Sequence, residues 1–164
     1  MTGKDPIRMV LDDIRQIVKA LRVSSRASET RCGLGAAQLF VLRQLEAERS
    51  ISINELAERT LTHQSSVSVV VSKLVGQKLV SRRSSTADSR RVELSLTALG
   101  KRRLQSAPKS VQEELVDALR RMPISECAVL AELLSKVVAG AGYARGRAPL
   151  LFEEDTGKRK RAQK

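Results

Sequence analysis

Aromatic residues are almost missing from this chain: two Phe, one Tyr and no Trp in 164 residues. Phe40, Tyr143 and Phe152 are too few to line an aromatic ligand pocket. Histidine occurs once, as His63, and cysteine twice, as Cys32 and Cys127, with neither thiol in a CxxC or Cys/His cluster. That argues against a closed structural zinc site, and neither a metal nor a cofactor is expected. No apolar run approaches the roughly 18 residues needed to span a bilayer, and MTGKDPIRMV lacks the apolar core and cleavage site of a secretory signal. The expectation is a soluble, cytoplasmic protein with no membrane partner. Catalytic machinery is missing too. No base is paired with a nucleophile and no glycine loop is built to cradle a phosphate, so the chain is not read as an enzyme.

What is abundant is positive charge. Thirty Lys and Arg against eighteen Asp and Glu give a formal charge of +12, which favours a polyanionic partner. A chain of this length fits one domain with a real hydrophobic core. Residues 1–154 are read as that domain, and 155–164 as a disordered basic tail in which Lys158, Arg159, Lys160, Arg161 and Lys164 follow no apolar spacing.

Residues 7–23 repeat Ile7, Val10, Leu11, Ile14, Ile17, Val18 and Leu21 at three- and four-residue steps, one stripe of a helix. SSRASETRCGLG reads as a looser connection, placing Cys32 in a loop, before a second helix over 36–48. In ISINELAERT, Ser52 and Glu55 stand in the relation of a capping box, predicting a short helix from about 53 to Thr60. Thr62 then caps a fourth helix whose Val67, Val70, Val71 and Leu74 share one side. LVSRR and RRVELSL follow as two strands, with Val92, Leu94 and Leu96 alternating against polar neighbours around an SSTADS hairpin loop. A long helix capped by Thr97 and bent near Pro108, then a last helix over 124–139, complete the order α-α-α-α-β-β-α-α. The fold class is mainly α with a small β-hairpin wing: a winged helix-turn-helix over about 36–100, flanked by helices at about 6–28 and 107–142.

The wording INELAERT, QSSVS, KLVGQKLVSRR and DSRRVELSLTALG resembles the MarR family of transcriptional regulators over roughly residues 7–140. The most specific piece is Asp88-x-Arg90 followed by alternating apolar residues and Leu-Thr-x-x-Gly. The resemblance implies that Arg90 enters the DNA minor groove with Asp88 holding it, while the helix 63–77 enters the major groove and the wing 81–96 the minor groove. A guanidinium keeps its charge at physiological pH and suits the concentrated negative potential of a narrow minor groove. Arg82, Arg83 and Arg91 flank the strands where phosphates would pass. On the fourth helix the face opposite the core presents Gln64, Ser65, Ser66, Ser68, Val69, Ser72 and Lys73. Val69 departs from many relatives, which carry an arginine there, and it offers only an apolar contact to a thymine methyl. Lys78 stands where a glycine normally lets the chain turn left-handed, so Gly76 is expected to take over that bend.

The flanking helices carry more apolar surface than a winged helix needs, which predicts a homodimer through Ile7, Val10, Leu11, Ile14, Leu130, Leu133, Leu134 and Val137. The resemblance implies an interlocked two-fold dimer, a pseudo-palindromic double-stranded DNA operator, repression by occupancy on the nucleoid, and release by a small-molecule effector. A different class is an architectural, weakly sequence-specific DNA-binding protein, which the serine-rich face, Val69 and the basic tail favour.

Overall fold

The computed structural model describes residues 5–48, 50–84, 92–143 and 150. Helix α1 (Pro6–Cys32) starts with Pro6 in the first turn, where a missing N–H costs nothing, and with Asp5 Oδ1 accepting from Ile7 N at 3.0 Å. It runs through the segment expected to be a loop. Leu21, Ser25, Ser28 and Cys32 continue the apolar stripe and are buried, so the serines serve as small contact residues in a helix. Gly33 alone stops it, at φ 67° with its N–H on Glu29 O at 3.0 Å. Cys32 is therefore buried in the last turn, where its thiol donates to Ser28 O at 3.1 Å.

Helix α2 (Ala36–Glu46) is enclosed almost all round, burying Ala36, Ala37, Leu39, Phe40, Val41, Leu42 and Leu45. It packs on α1, on four of the helices that follow it and on the last strand of the sheet. Strand β1 (Ile51–Ser52) is a third strand that two residues were too few to announce by alternation. Helix α3 (Ile53–Arg59) begins with the expected capping box: Glu55 Oε2 accepts from Ser52 N at 2.7 Å and Ser52 Oγ from Glu55 N at 3.3 Å.

Helix α4 (Gln64–Gly76) starts one residue later than expected, capped by the His63 backbone without a side-chain bond. The turn before it is tighter than Thr62 capping requires: Leu61 adopts φ 52°, and Thr62 N is spent on Ala57 O at 3.0 Å. Val67, Val70, Val71 and Leu74 are all buried, as their spacing predicts. Strands β2 (Val80–Ser84) and β3 (Val92–Leu96) pair antiparallel from Val80↔Leu96 to Ser84↔Val92. β1 adds to the other edge of β3, giving the order β1-β3-β2. Of the three alternating residues in β3 only Leu94 is fully buried; Val92 at the outer end is 45% exposed.

The long bent helix expected after the wing is two helices. Helix α5 (Ala98–Gln105) is capped by Thr97, whose Oγ1 accepts from Gly100 N at 3.0 Å. Helix α6 (Val111–Arg121) has a cap of its own in Ser110. Pro108 cannot donate and disfavours a helical residue before it, so the chain breaks rather than bends. Helix α7 (Ile124–Gly140) buries none of its residues, and no described helix is long and apolar enough to cross a membrane.

Two backbone positions set how the wing leaves α4. Lys78, not Gly76, makes the left-handed turn, at φ 60°. A side chain in that region costs about 1–2 kcal/mol relative to glycine. Gly100 is required for another reason: a Cβ there would meet Leu79 O at 2.2 Å, the same carbonyl that accepts from Thr97 N at 3.0 Å. Opposite outcomes follow in thermal melts. Lys78→Gly stabilises the fold by about 0.5–1 kcal/mol after the entropy of the added glycine is counted. Gly100→Ala forces backbone movement and destabilises it by about 1–3 kcal/mol. A Tm that falls in the first or holds in the second would contradict these geometries.

Candidate nucleic-acid interface

With four side chains buried on one side, α4 must present the rest. Gln64, Ser65, Val69 and Ser72 are exposed, Ser66, Ser68 and Lys73 are half-buried, and Val69 is 41% exposed. The sequence-predicted residues of this helix thus share one outward face. Ser72 Oγ donates to Ser68 O at 2.7 Å and accepts from Arg82 Nη2 at 3.2 Å. That bond ties β2 to α4 across ten residues and was not anticipated from the sequence. Its source is the ladder register, since Arg82 pairs with buried Leu94, and partners in a ladder point to the same face of the sheet. Arg83 pairs with Glu93 and points to the other face, so the two arginines do not act as one cluster. Both are exposed. Asp88, Arg90 and Arg91 lie outside the described residues, as does the tail from 155 to 164.

The residues expected to meet a second copy are open to water in the single chain. Ile7, Val10, Leu11, Leu133, Leu134 and Val137 are exposed, with Ile14 at the margin and Leu130 half-buried. They form two faces, on the first half of α1 and along α7.

A cleft of about 520 Å³ lies between α2, the end of α3 and α6, lined by Phe40, Arg43, Arg59, Lys109, Glu113 and Arg120 among others. Phe40 is the one aromatic side chain on its wall. Arg43 donates to Glu46 at 3.0 Å and to Ala107 O at 3.3 Å, tying α2 to the link before α6. Gln44 Nε2 donates to Glu113 Oε1 at 3.2 Å. Burial pushes the Glu113 carboxyl above the usual carboxylate range, against the pull of the nearby Arg43 guanidinium. Among the described residues no group of His, Cys, Asp or Glu is placed to hold a metal.

The family model described as MarR family matches residues 33–91, from the stop of α1 into the wing. Over that segment the chain is similar to the MarR family. The chain is also similar to the HTH-type transcriptional repressor MdtR of Bacillus subtilis (strain 168), 38% identical over 68 residues. That match covers 42% of this chain and 44% of the relative, so the chain spans less than half the length of the curated relative it matches. Among solved structures, the reduced form of MarR from E. coli covers 84% of this chain and 99% of its own at 23% identity, TM-score 0.55. A cysteine-to-serine mutant of MarR from E. coli complexed with operator DNA covers 82% and 99% at 22% identity, TM-score 0.53. The regulator BldR from Sulfolobus solfataricus covers 83% and 99% at 26% identity, TM-score 0.50. These likenesses establish the MarR-type fold over most of the chain.

The Glu113 geometry has a measurable consequence. Its proton is held more tightly in the folded than in the unfolded chain. The stability it contributes is therefore fully present below the unfolded pKa and is lost as pH rises through the folded one. Glu113→Gln keeps an acceptor for Gln44 and should flatten the dependence of Tm on pH across that window, just above the usual carboxylate range. An unchanged pH profile would contradict the assignment.

Proposed function

We propose that this chain is a dimeric DNA-binding transcriptional regulator, a repressor, that reads a pseudo-palindromic operator. In this reading helix 63–77 lies in the major groove and the wing 81–96 in the minor groove, with Arg90 at the tip. The observation that carries it is the outward polar face of α4, braced by the Arg82–Ser72 bond, on a MarR-type segment. Support comes from the relatives' printed descriptions, a repressor in one case and an operator complex in another. The apolar faces of α1 and α7 support the dimer, and a two-fold axis would set the two recognition helices about one DNA turn apart. The cleft beside Glu113 supports release by a small effector. Its wall sets Arg43, Arg59, Lys109 and Arg120 against Glu113, Glu114 and Asp117, which suits a ligand held by polar contacts rather than by aromatic stacking. The site of action is the cytoplasm, on the nucleoid.

A second reading, an architectural and weakly specific binder, is favoured by the chemistry of that same face. Serines and Val69 offer no bidentate pair to a base, and Gln64 alone is suited to adenine. One titration separates the two. Mobility shifts on the chain's own upstream intergenic DNA and on a scrambled duplex, at physiological salt, should differ by roughly 100-fold or more for an operator reader. Near-equal binding would favour the architectural reading. In the same assay Arg90→Ala should cost about 10-fold or more in affinity with helix content and dimer mass unchanged. Unaltered affinity would remove the wing-tip role.

A further inference from the structure

One hydroxyl on the outward face of α4 is already committed. Ser72 Oγ donates its proton to Ser68 O at 2.7 Å and accepts from Arg82 Nη2 at 3.2 Å. A guanidinium only donates, so the direction of both bonds is settled. A phosphate oxygen needs a donor, and this hydroxyl has no proton left to offer. Arg82 is in the opposite condition. One N–H of its guanidinium meets Ser72, the side chain is exposed, and among the described residues it forms no salt bridge. The strand period puts it there. Val80, two residues earlier on the same face of the sheet, is buried in the core, and Arg82 is the first position of that face to reach solvent. Arg82 therefore stands at the seam between α4 and β2, held from the helix side.

We propose that Ser72 is a positioning residue: it makes no DNA contact of its own but holds the Arg82 guanidinium over the seam, where Arg82 takes a backbone phosphate. The proposal deepens the DNA-binding reading above and rests on it. In that reading α4 and the wing enter neighbouring grooves, and neighbouring grooves of a duplex are separated by one sugar-phosphate strand. A cation fixed at the seam of the two elements faces that strand rather than a base edge. A guanidinium suits the task, because its planar fork offers paired N–H groups to phosphate oxygens. Left alone, an exposed arginine samples many rotamers and loses that freedom on binding. The Ser72 bond restricts the side chain before DNA arrives, so less freedom is lost on contact. The further bond into Ser68 O polarises the hydroxyl and strengthens its acceptance from Arg82. Arg83 lacks this support, since it pairs with Glu93 on the other face of the sheet. Serine at position 72 thus has a use even though it offers no bidentate pair to a base.

The test is a double-mutant cycle on DNA affinity in the full-length chain. Binding is followed by fluorescence anisotropy over a range of salt, on an upstream duplex and on a scrambled duplex of the same length. Arg82→Gln should lose affinity by the same factor on both duplexes, and its log–log salt slope should shrink by about 1 per subunit. Ser72→Ala keeps every charge, so it should keep the slope and lose about 2- to 10-fold in affinity. In the Arg82→Gln background Ser72→Ala should cost nothing more, whereas beside Arg83→Gln its effect should be additive. Ser72→Thr restores the hydroxyl and should restore the affinity. Residues 72 and 82 are both exposed, so helix content should hold throughout. An additive loss in the Arg82→Gln background overturns the proposal, as does an unchanged slope in Arg82→Gln or a loss confined to one duplex. So does a Ser72→Ala protein with a lower Tm and unaltered affinity, the mark of a bond that serves only the fold. Each of these leaves the DNA-binding reading intact. No binding of the unaltered chain to either duplex overturns both.

Discussion

Two apolar faces that the single chain leaves in water constrain everything else. Ile7, Val10 and Leu11 on α1, with Leu133, Leu134 and Val137 on α7, are each at least 44% exposed. A 17-residue helix with no buried side chain is marginal on its own, since helices in proteins draw most of their stability from packing an apolar face. The arm that α7 forms is therefore complete only against another surface, and in our reading that surface is a second copy. In that reading the consequence reaches the DNA side, because a second copy covering these faces would also fix the separation of two α4 helices.

Within one lobe the logic runs from the core outward. α2 is enclosed nearly all round, α4 packs its four apolar residues against that core, and the remaining face of α4 has nowhere to go but solvent. The wing is then tied down at both ends. Arg82 bonds to Ser72 at the outer side, while Thr97 Oγ1 accepts from Gly100 N and donates to Lys78 O at 2.8 Å at the inner side. Gly100 lets α5 close onto the Leu79 carbonyl, so the Leu-Thr-x-x-Gly wording is the record of one tight helix-to-strand contact. α5 in turn reaches back to the first helix, with Arg103 Nη1 donating to Cys32 O at 2.8 Å. Helix ends and strand ends in this lobe thus satisfy one another.

Periodicity made much of this legible. The stripe of α4, the Ser52–Glu55 box, the Thr97 cap and the β2–β3 hairpin all depend on neighbours in sequence, and each is where the residues put it. What the sequence hid depends on distant partners or on position in space. The serines of α1 look like loop formers until α2 is packed against them, and Cys32 is buried for the same reason. β1 exists only because Ile51 and Ser52 pair with Leu94 and Glu93. Pro108 signalled an interruption, yet whether it bends or breaks a helix was settled by the Ser110 cap. Lys78 shows the limit of residue preference: the wing needs a left-handed residue at that point in the chain, and the position prevails over the side chain. On the interface, the outward residues of α4 were readable from the 100° step, whereas the bond from Arg82 to Ser72 required the strand register. Asp88 and Arg90 rest on the sequence pattern alone, outside the described residues.

The claim on which the account turns is that the chain is unfinished by itself. Sedimentation equilibrium of the purified protein at low micromolar concentration tests it without DNA, operator or effector. The account predicts a single species at twice the 18.0 kDa chain mass. A homogeneous 18.0 kDa monomer under those conditions would contradict it.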